Sequence, residues 1–252
     1  VGFLQRVAEA IRLVAKLTWL MAKAPKRRRV FKGILYFGMY SFTGSMYSVN
    51  FNFKRGAFSV KKIHIVTDST ADLSEEDLKK YDLHVVPLTI QISGESFIDG
   101  IDLSPENFLE MMAAAPELPK SSQPAAGVFK ELYDRLGEDG NEIISIHMTG
   151  GMSGTVKSAQ AAAEMTDAKV TVVDSMYSSH ALTCQVLEAA KMANEGKAVG
   201  EIVDQLNLVR KQTSLFVVVD ALDNLVKGGR IGKGRAMIGS LLNIKPIATL
   251  QD

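Results

Sequence analysis

Ile63-His64-Ile65-Val66-Thr67-Asp68-Ser69-Thr70 decides the fold class. A short apolar run rich in β-branched residues reads as a buried strand, and the polar turn that follows at once marks the end of that strand. Ser74-Glu75-Glu76-Asp77 then opens a helix, with a serine at the cap and acids in the first turn. The same alternation continues outward. Leu83 to Ile92 reads as a strand interrupted by Pro87, and Ser104-Pro105-Glu106 as a helix start with proline in the first turn. Helices are expected over 127–136, 153–165, 178–195 and 198–211, and strands over 142–147, 169–173, 215–219 and 244–250. Strands alternating with helices predict an α/β fold with a largely parallel sheet flanked by helices. Such sheets bind ligands beyond the carboxyl ends of their strands.

Charge divides the chain. Residues 1–60 hold 11 of the 29 Lys+Arg and one of the 28 acids, Glu9, for +10. Subtraction leaves 18 bases against 27 acids in residues 61–252, or −9. Residues 1–60 also carry 11 of the 18 aromatics, so the two segments are not expected to share a core. Residues 3–21 have the period of a basic amphipathic helix, which suits an anionic membrane surface. Residues 33–53 carry no charge, but Gly38, Gly44, Ser41, Ser45, Asn50 and Asn52 make them a poor membrane span. The favoured reading makes residues 1–60 an extension foreign to the body; the alternative is a membrane-contacting arm. Cys184 is the only cysteine, so no internal disulfide forms, which fits a reducing, cytoplasmic setting. His64, His84, His147 and His180 show no ligand spacing with cysteine, and no metal site is expected.

Three loops could carry chemistry: Thr67 to Thr70, Pro119 to Pro124 between two expected helices, and Thr149 to Thr155 between a strand and a helix. Glycines in the third allow close backbone approach, and the helix start offers unpaired amides to an anion. Ser153 is either a ligand-holding hydroxyl or simply a helix cap. The nucleophile-elbow pattern fails at Thr155, where the final glycine is missing. The phosphate-loop pattern fails over Lys227 to Gly234, which ends in glycine where Ser or Thr would bind magnesium.

Four stretches, in order, resemble the DegV family of fatty-acid-binding proteins. They are Ile65 to Leu73, Leu118 to Pro124, Ile144 to Ala159, and Phe216 to Asp220 continuing through Lys227-Gly228-Gly229-Arg230-Ile231. The resemblance implies a two-domain α/β protein. Here the first domain would span 61–175, and 176–252 would form a second α/β domain that is incomplete, because the family usually runs about half a domain further. It implies a long-chain fatty acid whose carboxylate is held by Ser121, Ser153 and the amide at Gly154. Asp68, Ser69 and Arg230 would lie on the head-group or kinase-facing side. It also implies no cofactor, no enzymatic activity, and a carrier role toward a separate fatty acid kinase. No nucleic-acid partner is expected. Leu88, Ile90, Phe97, Phe108, Met111, Met112 and Val128 could line a cavity for the tail. Gly150 stands where the family commonly has serine, and Lys120 where it has a neutral residue. The alternative functions are a serine hydrolase acting on acyl groups, with His180 within reach of Ser153, and a membrane-surface protein acting through residues 1–60.

Overall fold

The structure, a computed structural model, describes two short strands near residues 38–48 together with residues 61–218, 223–230 and 247–250. The chain divides into two compact units, Val1–Phe58 and Ser59–Asp252. In the first, strands β1 (Gly38–Tyr40) and β2 (Met46–Ser48) pair antiparallel within the uncharged stretch. The helix expected over 3–21 lies outside the described residues. Among the described residues, no helix is long and apolar enough to cross a membrane.

The second unit is built on β3 (Ile63–Asp68), the stretch that decided the fold. It lies between β4 (His84–Val86) and β8 (Glu142–His147), parallel to both, and β9 (Lys169–Asp174) completes a four-stranded parallel sheet in the order β4-β3-β8-β9. Both faces of β3 and β8 are covered, so these strands can be apolar almost throughout. One face carries α3 (Ala126–Leu136) and α4 (Thr155–Glu164), with Val66, Val86, Phe129, Tyr133, Ile143 and Ala159 in a shared core. The other face carries α5 (Ser179–Asn194) and α6 (Val199–Gln212), which bury Leu182, Val186, Ile202 and Leu206 against Ile65, Ile144 and Ile146. Helices α5 and α6 therefore belong to the first sheet. The division expected at 175–176 passes through one continuous core rather than between two.

The capping signals read as expected. Ser74 accepts from the Asp77 N–H at the start of α1 (Glu75–Tyr81), where three acids fill the first turn and Lys79 and Lys80 the last, matching the helix dipole. Ser104 caps α2 (Pro105–Ala114) in the same way.

Two expectations are corrected. The strand read over Leu83 to Ile92 is two strands, because Pro87 cannot donate to a ladder. The chain leaves the parallel sheet after β4 and enters a second sheet as β5 (Thr89–Ile92). The segment Pro119 to Pro124 is not only a turn, since Lys120–Ser122 forms β7. The second sheet is antiparallel, in the order β6-β5-β7, with β6 at Glu95–Ile98. Further on, β10 (Phe216–Val218) pairs antiparallel with β11 (Ile247–Thr249), and α7 (Asp223–Lys227) lies between them in sequence. Residues 239–243, expected to lead into the last strand, are outside the described residues.

Leu182 is fully buried where α5 crosses β3. Leu182→Ala removes that packing and leaves a cavity, so it should lower stability by about 2–5 kcal/mol. The shift in urea midpoint measures this. A loss no larger than that of an exposed Leu208→Ala control would mean that α5 does not share the core of the sheet.

Candidate functional site

The parallel sheet delivers the ends of β3, β8 and β9 to one edge, at Asp68, His147 and Asp174. Asp68 is fully buried there and both of its oxygens are engaged. Oδ2 accepts from the Met148 N–H at 3.0 Å and lies 3.0 Å from His147 Nδ1. Oδ1 accepts from the Thr70 N–H at 3.1 Å and from its hydroxyl at 2.6 Å. Burial pushes the Asp68 pKa up. The hydrogen bond and attraction from His147, then the bonds from Thr70 and Met148, outweigh burial and hold it below the usual carboxylate range.

The chain of polar groups continues inward. His147 Nε2 is 2.6 Å from Ser145 Oγ, and the Tyr133 hydroxyl donates to Ser145 Oγ at 2.7 Å. With a neutral imidazole the donors run one way, from Tyr133 to Ser145 to His147 to Asp68. Burial pushes the Tyr133 pKa up to about 12, partly offset by its bond to Ser145. Aspartate, histidine and serine in this order resemble a hydrolase triad. However, Asp68, Ser145 and His147 are all 0% exposed, so no substrate reaches the serine. His180, the histidine considered for Ser153, is exposed at the start of α5.

The loop from β8 to α4 is held down on both sides. The Thr149 N–H donates to the Tyr177 carbonyl at 2.8 Å, and the Gly150 N–H to Asp174 Oδ2 at 3.0 Å. A Cβ at Gly150 would lie 2.9 Å from that same oxygen, so glycine leaves room for the contact. Ser153 sits just before the Gly154 cap of α4. Its Oγ accepts from the Thr155 N–H at 3.2 Å and is 2.8 Å from the Thr155 hydroxyl. Ser153 thus tightens the helix start and also borders a cavity.

The second sheet closes the site from the other side. β7 pairs with β5 in the register Ile90↔Ser121, and Gln123 follows directly. The Gln123 carboxamide donates to Ser158 Oγ at 3.0 Å and covers Gly154 so closely that a Cβ there would lie 1.9 Å from Gln123 Oε1. This contact clasps β7 to α4.

A cavity of about 550 Å³ opens between them, lined by Leu88, Ile90, Met148 and Met152 and by polar groups from Thr70, Ser121, Ser153 and Arg230. A neighbouring cavity of about 740 Å³ shares Ser121 and Arg230 and is lined further by Phe108, Met112, Leu118 and Lys120. Both volumes lie in the ordinary range for small-molecule sites, about 300–1,000 Å³.

Ser121, Ser153, Gly154 and Arg230 therefore meet at one cavity. Asp68 and Ser69 do not line it. Asp68 lies beneath, and the Ser69 hydroxyl accepts from the Leu88 N–H at 3.1 Å, tying β3 to the second sheet. Among the residues expected around a tail, Leu88 and Ile90 line the first cavity and Phe108 and Met112 the second. Phe97 and Met111 line neither, and Val128 is 50% exposed. Asp99 and Met148, outside the three loops singled out in the sequence, also border the first cavity, as does Met152 inside the third loop.

The DegV family profile matches residues 62–252. The chain belongs to the DegV family. A DegV domain-containing protein of Listeria monocytogenes is 47% identical over 194 residues, covering 77% of this chain and 70% of the relative. The fold is that of DegV from Bacillus subtilis, described as a fatty acid binding protein: 36% identity, TM-score 0.70, 76% of this chain and 69% of that one. A Thermus thermophilus DegV protein, whose structure is described in terms of fatty acid binding, gives 34% identity, TM-score 0.69, and 75% and 68% coverage.

In this DegV protein the acid stability of the sheet edge reflects the buried Asp68 carboxylate. Because the folded-state pKa of Asp68 is depressed, its stabilisation is complete above about pH 4, the unfolded value, and is lost as pH falls through the lower folded value. Asp68→Asn should cost on the order of 3–5 kcal/mol at neutral pH and flatten the acid limb of the stability curve. An acid limb unchanged in that variant would show that Asp68 is not the group responsible.

Proposed function

We propose that this protein binds a long-chain fatty acid, with the carboxylate between Ser121 and Ser153 at the Gly154 helix start. The observation that carries the reading is that the hydroxyls of Ser121, on the second sheet, and Ser153, at a helix start beyond the first, border one cavity that Leu88, Ile90, Met148 and Met152 also line. Its support from relatives is that structures sharing the fold at 34–36% identity are described as fatty-acid-binding. The tail contributes affinity at roughly 0.8 kcal/mol per buried methylene, and the hydroxyls and helix amides orient the charged end. Arg230 and Lys120 bring positive charge to the same end, against Asp99.

The finer reading is a cytoplasmic carrier that presents the carboxylate to a separate fatty acid kinase, with Arg230 facing that partner. Arg230 is exposed, bonds to the Gly228 carbonyl and borders both cavities, so it suits a contact made at the rim. The exposed thiol of Cys184 suits a reducing compartment.

Native mass spectrometry of the purified chain should show a bound lipid as added mass. A hydrogen bond to a charged group contributes about 1.5–3 kcal/mol. Ser153→Ala should therefore weaken binding roughly ten- to a hundredfold, whereas Ser121→Thr keeps the hydroxyl and should change little. The comparison variant is Lys157→Ala, exposed on the same helix. Ser158 is unsuitable because it holds Gln123. The methyl ester should bind more weakly than the acid. Equal affinity of Ser153→Ala, Lys157→Ala and the native chain would remove the carboxylate role.

A further inference from the structure

At the opposite end of the parallel sheet, three side chains converge that play no part in the cavity. His64 lies on β3, two residues before Val66, which pairs with His84 on the edge strand β4. The two imidazoles therefore project from adjacent strands on one face. Asp82 joins them from the end of α1. Its backbone is left-handed (φ 51°, ψ 52°), at a position where glycine is the usual choice, and its N–H closes the helix on the Leu78 carbonyl. A β-substituted residue at such a position carries strain, and here the side chain it supplies is a carboxylate aimed at two histidines.

The spacing suits a metal ion. His64 Nδ1 and His84 Nε2 are 3.2 Å apart, and one oxygen of Asp82 completes a set within 4.8 Å of one another. Nitrogens bound tetrahedrally to zinc at 2.0–2.1 Å lie about 3.3–3.4 Å apart. Two imidazoles and one carboxylate suit Zn²⁺ better than Mg²⁺ or Ca²⁺, which favour all-oxygen sets. Without metal His64 Nδ1 and His84 Nε2 share a hydrogen bond, which a zinc ion would replace; burial, with Lys62 and the facing histidine adding, pushes the His64 pKa down to about 4. Two cations compete for the place. The Lys62 ammonium pairs with Asp82, and Arg135 of α3 lies near enough to His84 to lower its pKa. The Lys62–Asp82 pair is roughly half exposed, at 49% and 62%, and such pairs are easily exchanged.

We propose that His64, Asp82 and His84 form a zinc site that clips the edge strand β4 and the end of α1 to the central strand β3. Such a site overturns the expectation of no metal. That expectation looked for histidines spaced with cysteine, whereas these ligands are joined by strand pairing across 20 residues.

The test titrates Zn²⁺ alone into the full chain, prepared without a histidine tag, by calorimetry, and reads Co²⁺ absorption as a check on tetrahedral geometry. One equivalent should bind, and Zn²⁺ at a hundred times its Kd should raise Tm by about 5–10 °C. His84→Ala should weaken binding at least tenfold. Lys62→Ala should strengthen it by removing the competing ammonium. Asp82→Gly suits the left-handed backbone, so it should keep the metal-free Tm while losing the zinc-induced rise, which separates ligand loss from misfolding. Cys184→Ser should leave binding unchanged, which distinguishes this site from the exposed His180 and Cys184 pair on α5. Zinc affinity and Tm response that survive both His84→Ala and Asp82→Gly would overturn the proposal, as would the absence of any zinc response in the native chain.

Discussion

The carboxylate of Asp68 is the group on which this end of the molecule depends. It ends the central strand, is fully buried, and receives the Met148 amide, the His147 ring, and the amide and hydroxyl of Thr70. A buried charge is tolerated only when its hydrogen-bonding capacity is filled, and here four donors fill it. Through those donors the carboxylate fixes the exits of both β3 and β8. The loops that follow inherit their positions from it. The carboxylate itself borders neither of the two cavities.

The cavity is assembled from two sheets of different kinds. The parallel sheet contributes a helix start and Ser153, and the antiparallel one contributes Ser121. The Ser69 hydroxyl ties the sheets at one point and the Gln123 carboxamide at another. Gly154 is required less for conformational freedom than for room, because a side chain there would displace Gln123. The polar lining of the cavity thus rests on contacts that lie outside any single loop.

Much of the fold was legible in the sequence. Apolar strand runs, serine caps before acidic first turns, and glycines after helices placed most elements of residues 63–212 within a residue or two. What was not legible depends on contacts between distant segments. Lys120–Ser122 reads as a polar turn because nothing in those residues signals pairing; only the partner strand β5 makes them a strand. The continuity of α5 and α6 with the first core was hidden for the same reason. Ser121, Ser153, Gly154 and Arg230, which motif resemblance singled out, border one cavity. The resemblance could not tell that Asp68 faces inward, since a carboxylate in a strand-end loop reads the same whether it binds a ligand or the backbone. The meeting of His64 with His84 follows from strand register, which no spacing rule in the chain expresses.

The double anchoring of the β8–α4 loop has a consequence for motion. Loop amides ordinarily exchange with solvent through small local openings. Met148 and Gly150 instead donate to carboxylates at the ends of β3 and β9, and Thr149 donates to the Tyr177 carbonyl. The Met148 bond is buried while the Gly150 bond is exposed, so the Met148 amide should take up deuterium more slowly than that of Gly150. This wall of the cavity is thus tied to the ends of the parallel sheet.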